Sequence, residues 1–284
     1  LELGEYDEAA DAYGRLVTAE RSPATVSRLA RLRFALGDPI DSLQLATEAL
    51  AGSHQLALRP STAAFYWFQL GHYQFETGNV DLAIASYQEA LALDPDNPGA
   101  GEELAFALAS AGRLDEAAEA YEQLISAGPA ADLHGLYADV LRGRGDDVGA
   151  AEQERLGAAL AAETLDQYPA ERRHLAAFYL TREPDVAVEL ATADAATRRD
   201  VGALDTFAWA LHHAGRTAEA VDLIDEALAV GTRDASLLYH AGAIAAANGD
   251  AARARSHIEA ALALNPTFHP TEAADARALL AALG

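Results

Sequence analysis

The chain has 284 residues, of which 51% are hydrophobic and only 7% aromatic, and its formal net charge at pH 7 is -24. This charge argues against nucleic acids and anionic membranes as partners, because an acidic surface repels their phosphate groups. The chain contains no cysteine, which excludes disulfides, thiolate zinc sites and a cysteine nucleophile.

The acidity has two interpretations: it keeps the protein soluble, or it favours a basic partner. The hydrophobic content comes mainly from alanine and leucine, which favour helices, and no stretch alternates as a strand does. The sequence therefore predicts an all-α chain. It contains neither a signal segment nor an apolar run long enough to cross a membrane.

The N-terminal part contains half of a helical pair followed by one whole pair. Residues 1–22 have the apolar spacing of a second helix, with Gly4 before it and Ala9 inside it, and we expect a preceding segment to complete this half repeat. Residues 23–56 form the next pair, which is broken at Gly37. Residues 57–63 are extra and include Pro60, so they predict a longer loop.

Residues 64–97 are the clearest unit, with two helices separated by Gly78-Asn79 and closed by Asp94-Pro95. Each helix has one apolar face, so the pair has to stack on copies of itself. The unit resembles the tetratricopeptide repeat, a helix-turn-helix of about 34 residues. The matching residues are Trp67, Leu70, Gly71, Gly78, Ala83, Tyr87, Ala90 and Pro95. Gln74 departs from the pattern, because the family usually has an aromatic residue there.

A glycine followed five residues later by a small residue recurs along the chain, which predicts a turn with permissive φ and two closely approaching helices. The pairs are Gly4/Ala9, Gly37/Ser42, Gly78/Ala83, Gly112/Ala117, Gly145/Ala150, Gly215/Ala220 and Gly249/Ala254. The resemblance implies a single array, a right-handed α-solenoid of about eight stacked pairs.

The C-terminal units continue this array. Residues 98–131 follow the clearest unit without a spare residue, and residues 132–167 and 168–200 are weaker repeats. The second of these has Arg182-Glu183-Pro184 in place of the glycine turn. Residues 201–234 and 235–268 return to the strict length, and residues 269–284 predict a capping helix.

The resemblance also implies that the first helix of each pair lines a concave groove in which ligands lie. The groove candidates are Phe65, Phe68, His72, Phe75, Glu102, Phe106, Arg172, Tyr179, Asp205, Trp209, His212, His213 and Tyr239. Asp205, Trp209 and His212 share one helix face, which differs from the packing face of Leu204, Phe207, Ala208 and Leu211. Exposed aromatic residues would be anchors for a partner, whereas the alternative is that they belong to the core.

No pattern predicts catalysis, a metal or a cofactor. His212 and His213 point about 100° apart on a helix, and spacing places no third ligand beside them, with His240 the one candidate to consider. Neither HExxH nor GxxxxGK[ST] occurs. The carboxylate clamp of the tetratricopeptide family needs lysine, which this chain lacks.

The sequence therefore predicts a protein-interaction scaffold that binds an extended or helical peptide of a protein partner, with a bias towards basic partners. Two alternatives stay open. The array could be the substrate-recruiting or regulatory region of a larger enzyme or assembly whose other part precedes residue 1. It could also be a self-assembling structural module.

Overall fold

The computed structural model describes residues 1–164 and 172–284, and within these ranges the chain forms sixteen helices and no strand. The helices are α1 Tyr6–Ala19, α2 Pro23–Ala35, α3 Pro39–Gln55, α4 Pro60–Glu76, α5 Val80–Leu93, α6 Pro98–Ser110, α7 Leu114–Ala127, α8 Ala131–Gly143, α9 Asp147–Thr164, α10 Arg172–Tyr179, α11 Pro184–Ala195, α12 Val201–His213, α13 Thr217–Ala229, α14 Ala235–Ala247, α15 Ala251–Leu264 and α16 Glu272–Ala282.

Consecutive helices pack against each other in chain order, so the predicted α-solenoid is confirmed. The pairs are α2/α3, α4/α5, α6/α7, α8/α9, α10/α11, α12/α13 and α14/α15, with α1 before them and α16 after them. We call the first member of each pair an inner helix. Inner helices also contact one another from pair to pair, as α8, α10, α12 and α14 do, and α14 contacts α16. The inner helices therefore line one side of the array, which we call the concave side.

Local sequence signals explain where many of the helices begin. Proline occupies the first position of α2, α3, α4, α6 and α11, where its missing N–H costs no hydrogen bond. Acidic or amide caps start others: Asn97 Oδ1 accepts the N–H of Ala100 at 3.0 Å, and Asp234 Oδ1 accepts that of Leu237 at 2.8 Å.

The glycine turns have the predicted conformation. All seven turn glycines have φ between +74° and +85°, a region that is costly for residues with a Cβ. At Gly112 the N–H donates to the carbonyl of Ala109 at 3.0 Å, and the N–H of Arg113 donates to that of Leu108 at 2.9 Å, which satisfies carbonyls at the helix end.

Small residues allow the two helices of a pair to pack closely. Ala83 on α5 is completely buried, as are its counterparts in most other pairs. On α4, a β-carbon at Gly71 would lie 2.6 Å from Cε1 of the buried Tyr87 ring. Glycine at 71 is therefore required by the helix crossing.

Two irregular connections differ from the standard turn. Because α4 already begins at Pro60, the extra residues 57–63 are shared between a loop at residues 56–59 and the first turn of a 17-residue helix. Between α10 and α11 there is no glycine, and Pro184 begins α11 directly after Glu183. The expected course of the preceding helix towards Leu165 and the unit boundary at 167/168 lie outside the described residues.

The array also closes on itself. The first three turns, at Gly4, Gly37 and Gly78, touch three loops of the C-terminal half, at residues 199–201, 231–232 and 264–265, and we call these contacts the seam. At Gly112, Gly145, Gly215 and Gly249 an added β-carbon would have no atom within 4 Å, so these turns lie outside the seam.

Backbone groups make most of the seam. The N–H of Arg199 donates to the carbonyl of Glu2 at 3.1 Å, and the N–H of Val201 donates to the Tyr6 hydroxyl, 195 residues away, at 3.0 Å. Thr232 Oγ1 donates to the carbonyl of Ala35. A β-carbon at Gly37 would overlap the carbonyl oxygen of Gly231.

The third contact of the seam is buried. Asn265 is 0% exposed, and its Nδ2 donates to the carbonyl of Phe75, 190 residues away, at 2.7 Å. A β-carbon at Gly78 would lie 2.9 Å from the carbonyl oxygen of Leu264. Contacts between distant repeats thus join the first three turns to the C-terminal half of the array.

Candidate functional site

The concave side of the C-terminal half contains a pocket of about 770 Å³. Its walls come from the inner helices α8, α10, α12 and α14 and from the capping helix α16. Four of the residues predicted from the sequence line it: Trp209, His212, His213 and Tyr239.

Trp209 is the centre of this pocket. Its indole is stacked between His212, at a ring-centroid distance of 4.9 Å, and His240, at 4.2 Å, with interplanar angles of 8° and 16°. His213 meets it edge-on at 4.6 Å. Trp209 is only 6% exposed, so it is a rigid part of the wall and offers little free surface. Leu204, Ala208 and Leu211 pack in a different core cluster, as the helix-face analysis predicted.

His240 holds two carboxylates next to that indole. Its Nδ1 lies 2.8 Å from Oδ1 of Asp205, and its Nε2 lies 3.2 Å from Oε2 of Glu272. Burial alone would lower the pKa of His240, but the two carboxylates outweigh it and raise the pKa to about 10. The ring is therefore a buried imidazolium that ties α12, α14 and α16 together, and Asp205 is committed to this contact.

Glu272 is correspondingly held as an anion. Burial would raise the pKa of its carboxyl, yet His269, His240 and a hydrogen bond from Trp209 lower it to about 2. The capping helix thus supplies a buried negative charge to the pocket. The position of Glu272 in the first turn of α16 does not by itself reveal this role.

His212 and His213 are neutral at pH 7. Burial, followed by the nearby His213 and His240, lowers the pKa of His212 to about 4, and burial also lowers the pKa of His213. His212 Nδ1 is buried and has no hydrogen-bond partner in the described part of the chain. Both nitrogens of His240 face carboxylates, and residues 1–164 and 172–284 contain no group of three His, Cys, Asp or Glu arranged to hold a metal ion.

The opposite wall was not predicted from the sequence. The Arg182 guanidinium lies 4.4 Å from the Phe178 ring centroid, and its Nη2 donates to Glu154 at 3.2 Å. Arg182 Nε is buried without a partner in the described ranges. Asp139 accepts a hydrogen bond from Arg142 at 2.7 Å, and burial raises the pKa of its carboxyl.

The position of Asp139 within its repeat could have identified it from the sequence as a pocket residue. It lies six residues before the turn glycine Gly145, as Trp209 does before Gly215 and Ala243 before Gly249, and all three line the pocket. Arg182 and Phe178 are harder to find, because their repeat has no turn glycine to set its register.

The remaining candidates are not brought to this pocket. Phe65 is exposed, Phe68 and His72 are half-buried, and Glu102 lines a separate pocket of about 650 Å³ beside Pro95 and Leu124. His72 contacts the Phe34 ring at 5.7 Å, and its Nδ1 lies 4.0 Å from Glu103.

Several aromatic candidates are core residues. Phe75 is 3% exposed and packs against Phe106, which in turn meets the His269 ring at 5.3 Å. Tyr179 is 7% exposed and packs with Phe178, while Arg172 is half-buried at the start of α10. The expectation that Phe75 and Tyr179 face an open groove therefore does not hold, because both are buried. Trp209 and Tyr239 line the pocket, but each presents only a small part of its surface to it.

Comparison with known sequences identifies the repeat. Two sequence profiles, both described as tetratricopeptide repeat, match residues 74–140 and residues 27–98 and 206–267. Together they cover more than half of the chain. The chain belongs to the tetratricopeptide repeat family. The match at residues 206–267 includes Trp209 and Tyr239, so part of the pocket lining belongs to matched repeats. No curated protein sequence matches the chain.

Solved structures share the architecture. A human IFIT1 dimer with PPP-AAAA is 14% identical at a TM-score of 0.50, covering 91% of this chain and 64% of that chain. MamA is 22% identical at a TM-score of 0.49, covering 57% of this chain and 92% of the other. A tetratricopeptide repeat protein from Parabacteroides merdae is 16% identical at 0.48, covering 98% of both. At these identities the likeness concerns the fold alone. In the described parts of the tetratricopeptide array, no helix is long and apolar enough to cross a membrane.

Proposed function

We propose that this tetratricopeptide array is a protein-interaction scaffold that binds a segment of its partner in the concave pocket around Trp209. The tetratricopeptide repeat is typically a non-catalytic interaction module. The observation that supports the location is the pocket itself: about 770 Å³, formed by four inner helices and α16, with an apolar floor and a few polar groups on its walls.

Two side chains of the pocket lining carry a buried nitrogen without a partner in the described ranges. Arg182 Nε needs an acceptor and His212 Nδ1 needs a partner, and neither finds one within the described part of the protein. Both side chains line the pocket.

The test fills the pocket without removing its walls. Trp209→Ala is unsuitable, because it would take away the stacking partner of His212 and His240. Ala247 is exposed and lines the pocket at the end of α14, so Ala247→Trp adds bulk there. Ala252→Trp adds the same bulk to an exposed position on α15 and is the matched control.

The measurement is affinity capture from the source organism's lysate, followed by titration of the captured partner against each purified protein. We expect Ala247→Trp to weaken binding at least tenfold and Ala252→Trp to leave it unchanged. Equal binding by both variants would move the interface away from the pocket and contradict the proposal.

A further inference from the structure

We propose that the pocket receives a basic side chain of the bound partner, lysine or arginine, with its cationic end beside Asp275 and Glu272 and its alkyl stem against Tyr239 and Leu279. This inference rests on the proposed function, since the side chain belongs to the segment that the array binds. It adds the chemical class of the group that enters the pocket and the residues that select it.

The wall of the pocket that α16 contributes has negative charge that the protein leaves only partly compensated. Of the four carboxylates in the pocket lining, three have a basic partner and Asp275 has none in the described ranges; the pairs are Asp132 with His174, Asp139 with Arg142 and Glu272 with His240. Arg182 already donates to Glu154, which also accepts from Arg142. On the other wall a single imidazolium, His240, lies between Asp205 and Glu272, so that group of three keeps a net negative charge.

Asp275 is the carboxylate that is free to meet a ligand. It lies one turn after Glu272 on α16, lines the pocket and is exposed, and its side chain has no hydrogen bond or ion pair in the described ranges. Burial, followed by the charges of Glu272 and Asp275, raises the pKa of Tyr239. Both carboxylates therefore lie near one phenol, on the same wall of the pocket.

Two of the three histidines of the lining, His212 and His213, do not neutralise this wall at pH 7. Burial lowers the pKa of His212 and His213, so both rings are uncharged. His269 accepts the N–H groups of Thr271 and Glu272 at its Nδ1, each at 3.2 Å. An anionic ligand would meet repulsion here, whereas a cation would gain a charge-assisted hydrogen bond to Asp275.

The rest of the lining suits the stem of a long basic side chain. Leu180 and Leu279 contribute apolar surface beside Tyr239. Lysine and arginine carry three or four methylene groups that pack on such surface while the charged end reaches a polar group. A pocket of about 770 Å³ also has room for the neighbouring backbone.

The experiment is selection from a displayed library of random ten-residue peptides by the purified chain, with Asp275→Asn, Asp222→Asn and Ala247→Trp as variants. Asp222 is an exposed aspartate on α13, away from the pocket, and serves as the matched control. We expect the unaltered chain to enrich peptides with lysine or arginine at one fixed position. Exchange between lysine and arginine in the selected peptide then shows which cation the site prefers.

A double-mutant cycle on one selected peptide isolates the contact. Asp275→Asn is expected to lower its affinity about tenfold at low salt, and to have no effect on the same peptide with glutamine in place of the basic residue. Asp222→Asn is expected to change neither affinity. The loss of affinity caused by Asp275→Asn should also become smaller as the ionic strength rises.

The outcomes separate this inference from the proposed function. Two results would contradict the inference of a basic side chain and leave the pocket as the binding site. In the first, Ala247→Trp blocks binding of the selected peptides, but these show no preference for lysine or arginine. In the second, Asp275→Asn binds the selected peptides as tightly as the unaltered chain does. Failure to select any peptide that Ala247→Trp blocks would contradict the pocket itself, and the inference with it.

Discussion

At the scale of single residues, His240 makes the strongest electrostatic contact of the pocket, because it donates to one carboxylate from α12 and to another from α16. Replacing it by leucine would leave Asp205 and Glu272 buried without a counter-charge. We expect His240→Leu to lower the free energy of unfolding by about 3 kcal/mol. Urea denaturation at pH 6 measures this loss, and a change below about 0.5 kcal/mol would show that the two carboxylates find other partners.

The same residue gives stability a defined pH dependence. The pKa of His240 is about 10 in the folded protein, against an ordinary value of 6.5. Its contribution is therefore complete below about pH 6.5 and is lost as the pH rises towards 10. The pKa of Glu272 is lowered to about 2, so its contribution is lost only as the pH falls from about 4.5 towards 2. We expect the stability difference between the unaltered chain and His240→Gln to be largest near pH 5–6.5 and to shrink steadily by pH 10.

At the scale of helices, two glycines in regular helical conformation allow the effect of helix propensity on stability to be measured apart from the effect of packing. A β-carbon added at Gly14 on α1 would have nothing within 4 Å, whereas one at Gly71 on α4 would lie 2.6 Å from the Tyr87 ring. Tyr87 is fully buried and has no room to move aside. We expect Gly14→Ala to stabilise the protein by about 0.5–1 kcal/mol and Gly71→Ala to destabilise it by about 1–2 kcal/mol.

Urea denaturation monitored by helical circular dichroism compares the two variants under the same conditions. Equal stabilisation by both would mean that the α4/α5 crossing tolerates a methyl group, and would contradict the close approach seen at Gly71.

The sequence predicts the helices well because their signals are local. The turn at Gly112 and the start of α6 at Pro98 depend on residues within one turn of helix, so spacing alone finds them. The site is predicted only in part. Trp209 and His212 follow from helix-face analysis, but Glu272 reaches His240 from α16 through tertiary packing, which no spacing within one repeat reports.

At the scale of the whole molecule, the seam is what sequence analysis cannot find. Gly37 and Gly112 occupy the same position of their repeats and have similar φ, +83° and +75°. Only Gly37 meets another part of the backbone, at Gly231. This difference between Gly37 and Gly112 depends on the curvature of the whole array, because the curvature determines which distant residues come into contact.

This pair of glycines tests the seam. Alanine at either position costs about 1–2 kcal/mol for its positive φ. We expect Gly112→Ala to lose only that amount and Gly37→Ala to lose at least about 3 kcal/mol, because its methyl group would overlap the Gly231 carbonyl. Small-angle scattering should also show a larger radius of gyration for Gly37→Ala alone. Equal stability and equal radius in the two variants would show that the seam does not hold the array closed.

Closure of this kind restricts how such a chain can evolve. An open solenoid gains or loses a unit without disturbing the others, since each unit contacts only its neighbours. Here the Tyr6 hydroxyl meets Val201 and the Phe75 carbonyl meets Asn265 only because a fixed number of units lies between them. Duplicating or deleting one unit between Phe75 and Val201 would displace both pairings at once, so closure opposes changes in repeat number in the middle of the array.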